Sequence, residues 1–515
     1  MFARTAVVGT ATGDVRFSIN GSARGTSAPA GSGLDVTDVI DGVEIGDRFT
    51  PDVQARRHRH WQDRRTSPHD LRKADVTTFN ELPAVLYSAH RGGAGEAPEN
   101  SLEALRSAVS WADVLDIDTQ VLADGTPVLM HDATVDRTTA RSGPVASFGL
   151  AQWLQLRADP ATWFAAASPA LTVPTVAQVL DDLGGARAMT VEAKDPAGVQ
   201  ALARLVLDRG LQESVLINTN DPAVVPLIRA AGCRAHLWRS AAQMAGDDFG
   251  AFVAAGADVL DIDIAASDAL IAAAVAAAPP LGVWAHTLTR RVQRDRALAL
   301  GCRGIVTDYP GYVSGRAPRR TATSTSTGFW GLGWVPSGKA RPVLDSSGRI
   351  PLPAPTSSTD TQVLLAGEVS AAPANGTFEV RFSVPTAGAS GWSLLSLHLG
   401  RDDAPTKMSS AEILHDGYTV QVSNNSSLRV YRDDAAAGTS TQLANTASGA
   451  TLAAETVYTL RCAITATQLT VSVPEAGVST TVTDKTHRAP WSVFVGRNHN
   501  ASATGLIRII GVTTS

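Results

Sequence analysis

From Pro83 onward the chain alternates between short runs of apolar, β-branched residues and longer stretches in which apolar residues recur every three or four positions. The first pattern is that of buried strands, the second that of helices with one apolar face. Strands are expected at 84–90, 114–120, 188–194, 215–220, 234–240, 258–264, 281–287 and 304–310, with helical stretches such as Ser101–Trp111, Val199–Arg209 and Pro222–Ala231 between them. Gly232, Gly256 and Gly301 stand where helices should end, because glycine takes the left-handed backbone of a C-cap without a Cβ clash. Eight strand–helix units over about 230 residues match a (β/α)8 TIM barrel, an α/β fold. An open doubly wound sheet fits less well, since no G-x-G-x-x-G opens the first helix. The longest interval, 133–174, contains no barrel strand and reads as an insertion on the rim of the barrel mouth.

Beyond Arg316 the helical period disappears. A Ser/Thr tract, Thr321–Thr327, reads as a linker. Alternating runs at 417–423, 427–431, 457–462 and 468–473 read as half-buried antiparallel strands. The expected organisation is an N-terminal segment (1–80), the barrel (81–318), a linker (319–334) and an all-β jelly-roll sandwich (335–515). The N-terminal segment suggests attachment or assembly. Its basic run holds His58 and His60, with His69 nearby, but no carboxylate or cysteine falls at ligand spacing. A solvated basic face accounts for it.

Composition narrows the function classes. Hydrophobic residues at 44% and charged residues at 18% exclude global disorder. Lys+Arg 44 against Asp+Glu 49 leaves −5, which disfavours nucleic acid or an anionic membrane as partner. No apolar run reaches the ~20 residues of a membrane span, and the Ala-rich stretch Ala269–Pro280 reads as a core-facing helix. Met1–Thr12 lacks the apolar region of a signal peptide. Either the chain stays inside, is mature or truncated, or leaves the cell as part of a larger particle; the modular organisation favours an extracellular or virion-associated location over a cytoplasmic one. Cys233, Cys302 and Cys462 are far apart and odd in number, so buried free thiols are expected rather than a disulfide framework or zinc site.

The polar residues of the barrel strands gather at strand ends. His90 and Arg91 end the first strand; Asp116 and Asp118 lie near the end of the second; His131 and Asp132 follow a turn at Asp124–Pro127; Glu192 and Lys194 end the third. Residues two apart in a strand share a face. Carboxylates converging at the C-terminal mouth of a barrel are best explained by a bound divalent cation, and oxygen-only ligands suit calcium or magnesium. Arg91 and Lys194 add charge suited to a phosphate, and the two histidines suit acid–base work. Asp261 and Asp263 repeat the pattern on the sixth strand, where a structural or rim role is the better reading.

The segments Ser88–Ser101, Leu115–Val121, Asp124–Asp132 and Asp136–Thr139, followed by Val191–Lys194 and Gly304–Pro310, together resemble the glycerophosphodiester phosphodiesterase family over residues 84–315. The resemblance implies a TIM barrel that hydrolyses glycerophosphodiesters with one divalent cation. It implies His90 and His131 as the catalytic pair, Arg91 and Lys194 as phosphate contacts, and Asp116, Asp118 and Glu192 as metal ligands. The family usually has Glu at Asp116 and Thr at Ser101. Glu99 and Asn100 match its Pro-Glu-Asn turn, although Asn100 could equally cap the first helix with Glu103. Trp284 stands where the family often has an aromatic near the glycerol pocket, with core packing an equal reading. In the family the nucleophile is thought to be the substrate's own neighbouring hydroxyl, giving a cyclic phosphate that water then opens.

The substrate would be a lipid head-group diester or poly(glycerol phosphate) teichoic acid. The sandwich, whose strand pattern resembles the laminin-G/concanavalin fold, would contact cell-wall glycan. Two other readings compete: a phage-tail or cell-surface binding protein carrying the barrel as a depolymerase or degenerate module, and a lyase that stops at the cyclic product.

Overall fold

A computed structural model describes three short strands within residues 1–26, residues 77–158 and 171–316, and most of the strands and turns between Ala322 and Thr514. His58, His60, His69 and most of the expected linker lie outside the described residues. The chain divides into two compact units, Met1–Thr66 and Ser67–Ser515. In the first, Thr5–Gly9, Val15–Ile19 and Ser22–Thr26 form an antiparallel sheet.

In the second unit the eight expected strands are all present: β1 (Leu86–Ala89), β2 (Val114–Val121), β3 (Ala188–Ala193), β4 (Val215–Thr219), β5 (Arg234–Arg239), β6 (Ala257–Asp263), β7 (Val283–Leu288) and β8 (Gly304–Thr307). Each pairs in parallel with the next, and β8 and β2 both pair with β1, so the barrel closes. The crossover helices bury one face at the spacing the sequence shows. Val199, Leu202, Ala203 and Val206 are buried on Val199–Leu207. Thr175 caps Val176–Leu183 with a reciprocal bond from Gln178, a signature that fixes a helix start.

The barrel interior is layered. Leu86, Val114, Ala188, Leu216, Val259, Trp284 and Val306 pack with Phe79 as an apolar floor. Two residues further along their strands stand Ser88, Asp116, Thr190, Asn218 and Asp261, all buried and polar. Two more residues along the first three strands lead to His90, Asp118 and Glu192. Barrel interiors are usually filled by branched aliphatics, so a polar middle layer marks chemistry or special support.

The insertion forms a small core of its own. Val135, Val145, Trp153 and Leu156 pack with Leu122, Val128 and Met130. The hairpin strand Pro127–Leu129 pairs antiparallel with β2 and delivers His131 to the mouth.

The C-terminal region consists of two antiparallel sheets that share one apolar core. One contains Gly376–Ser383, Val457–Ile464, Leu469–Val473, Val478–Val482 and Leu506–Thr514; the other contains Leu395–Gly400, Gly417–Val422, Leu428–Asp434 and Thr439–Thr446. Pairing starts earlier than expected. Ala322–Ser324, inside the presumed linker, pairs with the last strand in the register Thr323↔Val512, because a Ser/Thr tract that lacks a period can still complete a sheet edge through its backbone. Cys233, Cys302 and Cys462 are free and buried. Among the described residues no helix is long and apolar enough to cross a membrane.

Candidate active site

His90 follows the last residue of β1 and is buried. Its Nδ1 lies 2.6 Å from Asp308 Oδ1, just beyond β8. The loop after β1 is drawn onto that residue by Gly95, whose N–H donates to the Asp308 carbonyl at 2.7 Å. A Cβ at Gly95 would lie 2.6 Å from that carbonyl and 2.5 Å from the Tyr309 ring, so glycine is what permits the approach. Burial opposes the charge on Asp308, but the hydrogen-bonded His90 and the nearby Arg91 charge outweigh it and hold this carboxyl below its usual range.

Arg91 has left-handed backbone, φ 53°. Its Nε lies 3.0 Å from Asp118 Oδ2, and its Nη1 donates to Glu99 Oε1 at 3.3 Å. Lys194 Nζ reaches Asp118 Oδ1 at 3.1 Å and Glu192 Oε2 at 2.6 Å. Burial opposes the charge on Asp118, but Arg91 and Lys194 overcome it and hold this carboxyl well below its usual range. Glu192 behaves oppositely: burial and then the adjacent Asp118 charge, with which it shares a hydrogen bond, raise it to about 8. Two carboxyl groups in one pocket cannot both ionise cheaply.

Asp116 does not join that pair. Its Oδ1 accepts from Thr190 Oγ1 at 2.5 Å and its Oδ2 from the Arg91 N–H at 3.3 Å. A neighbouring hydroxyl and the tight turn after β1 thus engage Asp116, while Asp118 and Glu192 share one pocket. Among the described residues no three or more His, Cys, Asp or Glu side chains are placed to hold a metal ion together. Asn100 is not the helix cap. Ser101 Oγ accepts from the Ala104 N–H and fills that role, while Asn100 Nδ2 donates to Asp118 Oδ2 at 2.9 Å and its Oδ1 accepts the Asp118 N–H at 3.2 Å.

His131 is a second histidine held by an aspartate. Its Nδ1 lies 2.7 Å from Asp132 Oδ1. Burial, with help from the Arg91 and Lys194 charges and against that of Asp118, lowers its affinity for a proton. Asp132 is in turn held by Arg137, whose Nε donates at 2.7 Å. The same guanidinium donates twice to buried Glu99, at 2.8 and 2.7 Å. The Pro-Glu-Asn turn thus reaches His131 through Arg137, a link between loops that no local spacing reveals. Bidentate pairs of this kind fix orientation as well as charge.

On the other side of the barrel the two readings of Trp284 separate. Trp284 is fully buried in the floor, 6.2 Å from the Phe79 ring and 5.1 Å from that of His236, with its Nε1 donating to the Leu281 carbonyl at 3.3 Å. A Cβ at Gly304 would lie 2.2 Å from the Trp284 ring. Its place is the core rather than the glycerol pocket, since it stands two residues short of the mouth. His286, two residues on, packs edge-on against His90 with ring centroids 4.7 Å apart. Its Nδ1 lies 3.0 Å from Asp261 Oδ2. Asp263 instead accepts the Ala241 and Ala265 N–H groups, the structural role expected of it.

A parallel eight-stranded barrel with ionisable groups converging at the C-terminal ends of its strands is the arrangement of TIM-barrel enzymes. The model of the glycerophosphoryl diester phosphodiesterase family matches residues 90–312. A glycerophosphodiester phosphodiesterase of Bacillus subtilis is 36% identical over 121 residues, 22% of this chain and 41% of that protein. Bovine glycerophosphodiester phosphodiesterase 1 is 53% identical over 60 residues, 12% of this chain and 18% of its own. The aligned stretch thus spans less than half the length of these curated relatives. Among solved structures, an Oleispira antarctica phosphodiesterase in complex with sn-glycerol-3-phosphate is 21% identical, with 46% of this chain and 98% of that chain covered and a TM-score of 0.39. Over residues 90–312 this chain is similar to the glycerophosphodiester phosphodiesterase family.

Proposed function

We propose that this chain hydrolyses glycerophosphodiesters to sn-glycerol 3-phosphate and an alcohol, with one divalent cation, calcium or magnesium, held by Asp118 and Glu192. The observation that carries this reading is the Asp118–Glu192 carboxyl pair, flanked by Arg91 and by two histidines each tied to an aspartate through Nδ1. Glu192 keeps a proton because the cations beside it do not neutralise a second carboxylate, and a divalent ion supplies the missing charge. Two protein carboxylates are enough for magnesium or calcium when waters and phosphate oxygens complete the shell. Asn100, pinned to Asp118, sets the orientation of the first ligand.

A bound cation supplies charge neutralisation at the non-bridging phosphoryl oxygens. Arg91 adds a fixed positive charge at the same place. Each Nδ1–H given to an aspartate leaves Nε2 to exchange a proton with the substrate. One histidine deprotonates the nucleophile and the other protonates the leaving alkoxide; the lowered proton affinity of His131 suits it to the base role. The nucleophile is the substrate's own neighbouring hydroxyl, and water opens the cyclic phosphate in a second step.

The substrate is a small head-group diester or poly(glycerol phosphate) teichoic acid, and the β-sandwich supplies attachment to cell-wall glycan. Phosphorus NMR of the intact protein with a soluble glycerophosphodiester tests the reaction: release of glycerol 3-phosphate, its loss in chelator and its return with calcium or magnesium are expected. Undiminished turnover after exhaustive chelation defeats the metal assignment, and accumulation of cyclic phosphate makes the protein a lyase. Comparing intact cell walls with small diesters separates the two substrates.

A further inference from the structure

We propose that His286 is a positioning residue for His90, carried on a buried strut that runs from His236 through Asp261; this deepens the hydrolase reading above and rests on it. One hydrogen bond, from Nδ1 to Asp308 at 2.6 Å, fixes one point of the His90 ring. A ring tied at one point can still pivot about that bond. The His286 ring closes off the pivot: it stands at 73° to the His90 plane with centroids 4.7 Å apart, the edge-to-face arrangement favoured by aromatic quadrupoles.

His286 is itself held from behind. Its Nδ1 is 3.0 Å from Asp261 Oδ2, and Trp238 flanks it with ring centroids 5.8 Å apart. Asp261 is 1% exposed, and His236 Nε2 approaches the same Oδ2 to 3.2 Å without hydrogen-bond geometry. His236 rests on the Trp284 ring. The line from floor to mouth is therefore Trp284, His236, Asp261, His286 and His90, drawn from β5, β6 and β7 and ending on the loop after β1. Burying a carboxylate with two imidazoles where a barrel ordinarily packs aliphatic side chains is costly. None of the three polar groups touches Asp118 or Glu192 in the contacts above, so holding the cation does not explain them. Holding the ring of the acid–base histidine does.

The test is His286→Asn. The shorter amide keeps a donor where Nδ1 stood, so Asp261 stays satisfied, but the ring against His90 is gone. On a soluble glycerophosphodiester, kcat should fall by about tenfold to a hundredfold while KM stays within about twofold, as expected for displacement of a group that acts in the transition state. His286→Phe restores a ring without the tie to Asp261 and should recover part of kcat. The double variant Asp261→Asn/His286→Asn should lose no more kcat than His286→Asn alone, because Asp261 acts through His286. A rise in KM alone would make His286 a substrate contact, and unchanged kcat or additive losses would refute the strut. A readout independent of turnover is the His90 Nδ1 proton resonance. It should broaden in His286→Asn; an unchanged resonance overturns the proposal even if the wild-type chain turns over no glycerophosphodiester, a failure that would by itself defeat only the reading above.

Discussion

Asp118 on β2 and Asp261 on β6 are both inward-facing carboxylates, 2% and 1% exposed, and the barrel treats them differently. Asp118 is met by two permanent cations, Arg91 and Lys194, and shares its pocket with a second acid, Glu192. Asp261 is met by two imidazoles, His236 and His286. In both cases burial pushes the proton affinity up and the partners win: Asp118 is held well below its usual range, and Asp261 falls to about 2. The difference lies in what remains unsatisfied. The Asp118 pocket holds an acid, Glu192, that gives up its proton only near pH 8 unless more positive charge arrives, so it is poised to take up a cation. The Asp261 carboxyl, approached by two imidazoles on one oxygen, keeps no such proton, and the cluster is suited to support.

The sharpest way to break this contrast is to neutralise each carboxylate in turn. Asp118→Asn should abolish turnover by about 10³-fold or more, the scale of losing a group that organises transition-state charge. It too breaks a buried pair, but Glu99 and Glu192 remain beside Arg91 and Lys194, so its stability cost in the metal-free protein should be smaller than that at Asp261. Asp261→Asn should reverse the ranking: it breaks a buried pair and should cost about 3–5 kcal/mol of stability for a smaller loss of kcat. Thermal melts and initial rates on both variants decide it. Equal effects on rate would mean that the two carboxylates share one function.

Next in size are the histidines. His90→Ala and His131→Ala should each lower kcat by at least about 10²-fold, the usual worth of a positioned acid or base. Neither belongs to the apolar floor, so circular dichroism should show a folded chain. Full activity in either variant removes that residue from the mechanism.

Glu192 gives a pH signature that Asp261 cannot. Its folded-state value is raised to about 8 from an ordinary 4.5. Between those limits the native chain holds a proton that the unfolded chain has released, so the stability of the metal-free protein should fall as pH rises through this window and level off above it. The cation must displace that proton, so metal affinity should climb over the same window. Glu192→Gln should flatten the stability slope; a slope unchanged in that variant would place its origin elsewhere. Asp261, lowered to about 2 from 3.8, contributes stability that is present above its ordinary value and lost only as pH falls toward 2.

The eight strands were legible because a barrel strand is buried on both faces and shows as a short apolar run. The motif residues were legible because each lies within a few positions of a strand end. What the sequence concealed depends on closure. His286 meets His90 only because β7 and β1 both flank β8, and Glu99 meets Asp132 only through Arg137, 38 residues away from the first and five from the second. Asp308 sat in a recognised segment, yet its partner is 218 residues distant. Asp116 and Asp118 share a strand face, but period two does not say which layer each occupies.

The same ambiguity of layers left two readings of Trp284 open, and its test has the smallest expected effect. Trp284 and His286 point the same way on β7, and only the depth of the floor separates a core residue from a pocket residue. At the floor the indole fills space against Phe79 and Gly304 and donates to Leu281. Trp284→Phe keeps an aromatic ring there and gives up the N–H bond and some volume. The stability loss should stay below the ~3–5 kcal/mol of truncating a buried Trp to Ala, and kcat and KM should remain within about twofold of wild type. His236, which rests on the indole, could transmit a shift upward through Asp261, in which case kcat would move and KM would not. A rise in KM without a change in kcat would return Trp284 to the substrate pocket, because a residue that packs only against the floor has no route to ground-state binding that spares the acid–base step.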